Sequence, residues 1–171
     1  GIPVVAGGSS SGEHWLLAGW ILSKDGPSEL IQQYKALGIE AFSKADGEFI
    51  LLIHAPDTHC VTIFRDHTGI IPFAYASRGR RNFFSTQVEN VVNFMELDLA
   101  PSKEMFQQYP VYRVVLMPHS PIQGVRYLSN RCVCRVDGFD IREEEHTVPV
   151  RQGPSFKTIG SASNTLGEFL S

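Results

Sequence analysis

The chain has 171 residues, 43% hydrophobic and 19% charged, which is the composition of one globular domain with a core of its own. Its formal net charge of −3 supplies no excess positive charge to hold nucleic acid or an anionic membrane surface. Three cysteines, no apolar run near the roughly 20 residues that span a bilayer, and no basic segment leading into an apolar one at the N-terminus predict a reducing, cytoplasmic setting without disulfide framework, membrane span or signal peptide.

Residues 1–8 (GIPVVAGG) read as a first strand, and the Gly/Ser-rich run 7–12 as a loop. Residues 13–22 (EHWLLAGWIL) form a short apolar run, buried around 15–18. The period then changes. Leu30, Ile31, Tyr34 and Leu37 share one helical face, Ser28 after Pro27 is the predicted N-cap, and Gly38 stands at the stop. Residues 48–54 are predicted as a strand; positions 49–53 are all apolar, so both faces are expected to be buried. Pro56-Asp57 turns it into a second strand, where Val61 and Ile63 alternate with Thr62 and Phe64. Strands over 71–76 and 82–86 flank a turn at 77–80. A capping box, Thr86 to Glu89, then opens a helix with Val88, Val91, Val92 and Met95 on one face. Ser102 caps a second short helix over 101–109. Three short strands follow, over 123–128, 131–136 and 139–145, the last two joined by an Asp137-Gly138 hairpin. From Arg151 on the chain is rich in Gly, Ser, Thr and Asn, and Leu166, Phe169 and Leu170 form an unfinished apolar face. Strands, helices, then hairpin-linked strands argue for an α+β fold with mainly antiparallel sheet and against a doubly wound one.

The residues themselves offer little catalytic equipment. The 7–12 loop lacks a Gly-Lys-Ser/Thr ending, a G-x-G-x-x-G pattern and a following helix, so it reads as a connecting loop or linker. His54 and His59 flank one tight turn and can face each other, but Cys60 then points to the opposite face and His67 lies a strand away, unlike a tetrahedral zinc set. Cys132 and Cys134 share a strand face and read as two small buried hydrophobes. Arg78, Arg80 and Arg81 surround Gly79 in a solvated turn. No G-x-S-x-G elbow occurs, and an N-terminal nucleophile needs Cys, Ser or Thr where position 1 is Gly.

The stretch 37–76, LGIEAFSKADGEFILLIHAPDTHCVTIFRDHTGIIPFAYA, resembles the glutamine amidotransferase domain of asparagine synthetases and their relatives. In that family a helix precedes an Asp-Gly-Glu-Phe-like strand start, here Asp46-Gly47. A hairpin then leads to Arg-Asp-x-x-Gly-x-x-Pro, here Arg65, Asp66, Gly69 and Pro72. The family's strand ending in Ser before a helix matches FFSTQVENVV, and its closing strands match residues 123–150. Over residues 15–150 the resemblance implies an N-terminal-nucleophile-like αββα sandwich of two mainly antiparallel sheets. Residues 151–171 are then a linker or the start of an ATP-dependent synthetase domain.

The departures from the family shape the functional expectation. A working glutaminase of this family opens Met-Cys-Gly-Ile; Gly1-Ile2 follows without the Cys. Its oxyanion-hole segment Asn-Gly-Glu-Ile is replaced by Ala18, Gly19, Trp20 and Ile21, a remnant glutamine pocket that keeps Gly19 and loses the side-chain donor at Ala18. The acidic residue for the glutamine amine and the arginine-bearing segment have no counterpart, and Pro27 sits near where the first is expected. Such losses resemble β-lactam synthetase and lasso-peptide cyclases, where the domain is a scaffold. This resemblance implies a glutaminase-inactive domain of an asparagine-synthetase-type amide ligase. ATP and Mg are expected in the associated synthetase domain, which is the expected partner, with a homo-oligomer also open. Asp46, Gly47, Arg65, Asp66, Gly69 and Pro72 stand as signature residues at a possible domain interface, with Arg65 and Asp66 either an ion pair or hydrogen-bond node near the partner domain or simply the end of a strand at the surface. A stand-alone peptide- or ligand-binding module, and an active glutaminase whose Cys lies outside the sequence, are the alternatives.

Overall fold

The computed structural model describes residues 2–8, 12–22, 26–130 and 132–145. The expectations for 151–171, including the face of Leu166, Phe169 and Leu170, lie outside those residues. In chain order the elements are β1 (Val4–Gly8), β2 (His14–Ile21), α1 (Gly26–Leu37), a 3-10 helix (Gly38–Lys44), β3 (Gly47–Ala55), β4 (Cys60–Arg65), β5 (Ala74–Arg78) and β6 (Arg81–Ser85). Then come α2 (Val88–Met95), α3 (Lys103–Tyr112), β7 (Arg126–Tyr127), β8 (Cys132–Asp137) and β9 (Asp140–Glu145). A six-stranded sheet in the order β1-β2-β3-β4-β8-β9 faces a three-stranded sheet in the order β6-β5-β7, and every pairing is antiparallel. The predicted α+β sandwich is observed.

The two-residue period of a strand sorts the apolar side chains into three layers. Leu17, Phe49, Leu51, Ile53, Phe64 and Val133 pack with Leu30, Ile31 and Phe42 under α1 and the 3-10 helix. Their strand neighbours Ala18, Ile50, Ile63, Cys132 and Cys134 point the other way and meet Phe73 and Tyr75 between the sheets. Ala74 and Ala76, on the far side of β5, pack with Val91, Val92 and Met95 of α2. β3 feeds two layers at once, which is why residues 49–53 are apolar without a gap. Four of those five side chains are buried, and only Leu52 is half-exposed. No described helix is long and apolar enough to cross a membrane.

Several local expectations shift. β1 runs through Gly7 and Gly8, as the strand reading of 1–8 has it, so the loop read over 7–12 does not begin at Gly7; Gly7 pairs with Trp15, and a Cβ there would overlap the Trp15 ring. α1 begins at Gly26, so Ser28 lies within the first turn and is not its cap; Pro27 fits there because its missing N–H would be unpaired anyway. The 3-10 helix was not foreseen. It buries Ala41 and Phe42, whose ring stacks on Phe64 at 3.9 Å. The Thr86 capping box does not form. The N-cap is Gln87 without a side-chain bond, and Ser85 Oγ accepts from the Gln87 N–H at 3.1 Å instead, because β6 carries the chain through Ser85. Ser102 does cap α3, accepting from the Met105 N–H at 3.1 Å while its own hydroxyl donates to the Ser120 carbonyl at 2.6 Å. α3 continues past 109 through Pro110 to Tyr112 and buries no residue. The strand expected over 123–128 shrinks to Arg126–Tyr127 after the left-handed Gly124. The Asp137-Gly138 hairpin is as predicted, with Asp137 opposite Asp140.

Both predicted apolar cysteines are fully buried between the sheets. Burial first, then the nearby Glu143 carboxylate, pushes the Cys134 thiol up to about 12 and raises that of Cys132 as well. Iodoacetamide at pH 8 should therefore label half-buried Cys60 in the native protein and reach Cys132 and Cys134 only after unfolding. Three rapid adducts by mass spectrometry would contradict this placement.

Candidate functional site

The residues singled out from the sequence gather at one end of the six-stranded sheet. β2 and β3 pair so that Ala18 lies opposite Ile50, Gly19 opposite Phe49 and Ile21 opposite Gly47, and the Leu22 N–H donates to the Asp46 carbonyl at 2.8 Å. Phe49 in turn meets Asp66: its N–H donates to Asp66 Oδ2 at 3.2 Å, and the Asp66 N–H returns to the Phe49 carbonyl at 3.1 Å. The side chain of Ile71 lies against Gly19. Ala18-Gly19, Asp46-Gly47 and the loop 66–72 are thus three neighbouring parts of one corner.

Two glycines make that corner possible. Gly19 (φ 102°) and Gly47 (φ 140°) hold backbone conformations open to glycine. A Cβ on Gly19 would overlap the Glu48 carbonyl oxygen, and one on Gly47 the Trp20 carbonyl oxygen.

Arg65 and Asp66 do not lie at the surface; they are 0% and 1% exposed. Nor do they pair directly, since no ion pair joins them among the described residues. Each instead organises backbone. Arg65 Nε donates to the Ile71 carbonyl at 3.1 Å, Nη1 to the Leu128 carbonyl and Met117 Sδ, and Nη2 to the Gly69 carbonyl. Asp66 Oδ1 accepts from the Thr68 N–H at 2.7 Å, the Gly69 N–H at 3.0 Å and the Thr68 hydroxyl. Burial lowers the Arg65 pKa from its ordinary value, and the neighbouring Asp66 charge opposes that shift. A carboxylate that already holds four donors has little capacity left to take a proton from a substrate, and a guanidinium bound to three carbonyls has little left to grip one. The pair is a hydrogen-bond node that shapes the loop.

The loop it shapes is exposed at Ile70 (61%) and at Pro72, while Gly69 is buried under Asn130. Asn130 Nδ2 donates to the Thr68 carbonyl at 3.3 Å. Sequence reading passed over Thr68 and Asn130. Thr68 was findable, since Asp-x-Thr-Gly is the pattern of an Asx turn; Asn130, 62 residues away, carried no local signal. Asp46 is exposed beside a cavity of about 250 Å³ lined by Ile21, Leu22, Glu29, Leu30, Gln33 and Ala45.

The histidines do not assemble. His54 lies across the strand pair from His14, ring centroids 6.4 Å apart, rather than facing His59. Among the described residues no three His, Cys, Asp or Glu side chains gather into a group that would hold a metal ion. The backbone N–H of Gly19 donates to the Pro3 carbonyl at 2.8 Å.

No curated protein matches the chain. A family model described as a glutamine amidotransferase domain matches residues 22–147. The match begins after β2, so Ala18 and Gly19 fall outside it, whereas Asp46, Gly47, Arg65, Asp66, Gly69 and Pro72 fall within.

Proposed function

The chain belongs to the glutamine amidotransferase domain family, and from that membership we propose that it is a glutaminase-inactive domain serving as scaffold for an asparagine-synthetase-type, ATP-dependent amide ligase. One observation carries the loss of glutaminase activity. At the remnant pocket Ala18 offers no side-chain donor, and the Gly19 N–H is already spent on Pro3. Acyl transfer from glutamine needs donors aimed at the developing oxyanion, and losing one alone costs about 10²–10³ in rate.

In this reading the described residues do not hold ATP or Mg; those belong to the synthetase domain, which this chain supports in a reducing cytoplasm. The Arg65–Asp66 node then acts indirectly. It is buried, so it fixes a rigid loop whose exposed Ile70 and Pro72 meet the partner domain. The family membership and the intact signature residues favour this over a stand-alone binding module.

Incubation of the purified chain with glutamine should release glutamate no faster than a buffer blank. Turnover that survives purification and vanishes on substituting a single residue would defeat the proposal.

A further inference from the structure

The six-stranded sheet ends in two unlike edges. β9 carries Asp140, Arg142, Glu143, Glu144 and Glu145, the charged dress by which a natural edge discourages pairing. β1, at the other end, is VVAGG with no charge at all. Val4 is 61% and Val5 52% exposed, on opposite faces of the strand, and Ile2, Leu16 and Trp20 lie exposed nearby. Among the described residues no strand pairs with the outer side of β1.

From this contrast we propose that β1 is a self-association edge: two copies of the chain pair β1 to β1 antiparallel about a two-fold axis through Ala6, joining their large sheets into one. The hydrogen-bond phase permits it. The Gly19 N–H donates to the Pro3 carbonyl, so Pro3, Val5 and Gly7 face β2, and by alternation the N–H and C=O groups of Val4, Ala6 and Gly8 point outward. Pairing Ala6 with its own copy sets Val4 opposite Gly8 and Val5 opposite Gly7, so each branched side chain meets a glycine. An uncharged strand also meets itself without the like-charge repulsion that a two-fold axis would impose on β9. A second copy is the one partner guaranteed to present this same complementary, neutral strand. The proposal does not depend on the glutaminase reading.

The test is sedimentation of the full chain over a range of concentrations, with two variants. Ala6→Pro removes an outward N–H and leaves the β2 ladder intact, since proline is tolerated where an edge N–H faces solvent. It should keep the thermal melt of the folded chain and weaken dimerisation at least about tenfold, the loss of a pair of symmetry-related hydrogen bonds. Ala6→Cys should cross-link to its mate under mild oxidation, while Val4→Cys and the unsubstituted chain should not, because only position 6 opposes itself. A chain that is monomeric at all concentrations overturns the proposal. So does a dimer indifferent to Ala6→Pro and silent for Ala6→Cys, which would place the interface elsewhere, for example on the exposed Phe106, Val111 and Tyr112 of α3.

Discussion

An Arg65→Met chain should lose about 3–5 kcal/mol of stability, read as a lower urea midpoint at unchanged slope. Methionine fills much of the same volume, so packing loss is small. What changes is polar satisfaction. The carbonyls of Gly69, Ile71 and Leu128 lose their buried donor, and Asp66, although it keeps its own four donors, loses a neighbouring positive charge. Against a total of roughly 5–15 kcal/mol for a domain, that is a large share. Arg65→Lys should rescue little, since one ammonium cannot reach three carbonyls that a planar fork satisfies together. Asp66→Ala should cost a similar amount, and the double variant clearly less than the sum, because both act on one loop. A loss below about 1 kcal/mol for Arg65→Met would show that the loop holds without the node.

Gly19→Ala and Gly47→Ala should each cost about 2–4 kcal/mol, beyond the strain of a positive φ alone, because the added methyl strikes backbone rather than a yielding side chain. The overlaps fall on the Glu48 and Trp20 carbonyls, and those two residues lie opposite each other on a single rung of the ladder. Relief requires β2 and β3 to part locally. Once one methyl has forced them apart the second adds little, so the pair should be sub-additive in chemical denaturation. A neutral Gly19→Ala would show that the corner yields easily.

Much of the fold was legible because period carries it. Residues 49–53 announced a strand buried on both faces, and the Pro56-Asp57 and Asp137-Gly138 turns fixed two hairpins with short-range chemistry. Ser102 was readable as a cap because a cap is local. The failures share the opposite property. The 3-10 helix after Gly38 exists because Phe42 finds Phe64, a contact across 22 positions that no window reveals. Thr86 does not cap α2, whose N-cap is Gln87, because strand pairing with β5 carries β6 through Ser85. Within the candidate site, Arg65 and Asp66 were visible as residues, but their burial was not. Two adjacent opposite charges at a strand end look like a surface ion pair until the chain folds Leu128 and Phe49 onto them. The gathering of Ala18-Gly19, Asp46-Gly47 and the 66–72 loop was likewise a product of register, which sequence does not print.

The alternation of β3 has a consequence for cooperativity. Phe49, Leu51 and Ile53 belong to the layer under α1, while Ile50 belongs to the layer between the sheets. β4 and β8 divide their side chains in the same way, and β5 links the inter-sheet layer to the one beneath α2. No layer can melt while its neighbour stays packed, because the strand that leaves one is the wall of the next. The three cores therefore behave as a single thermodynamic unit. α3, which buries nothing in any of them and is tied down through Ser102 and Ser120, is the one described helix free to open on its own account.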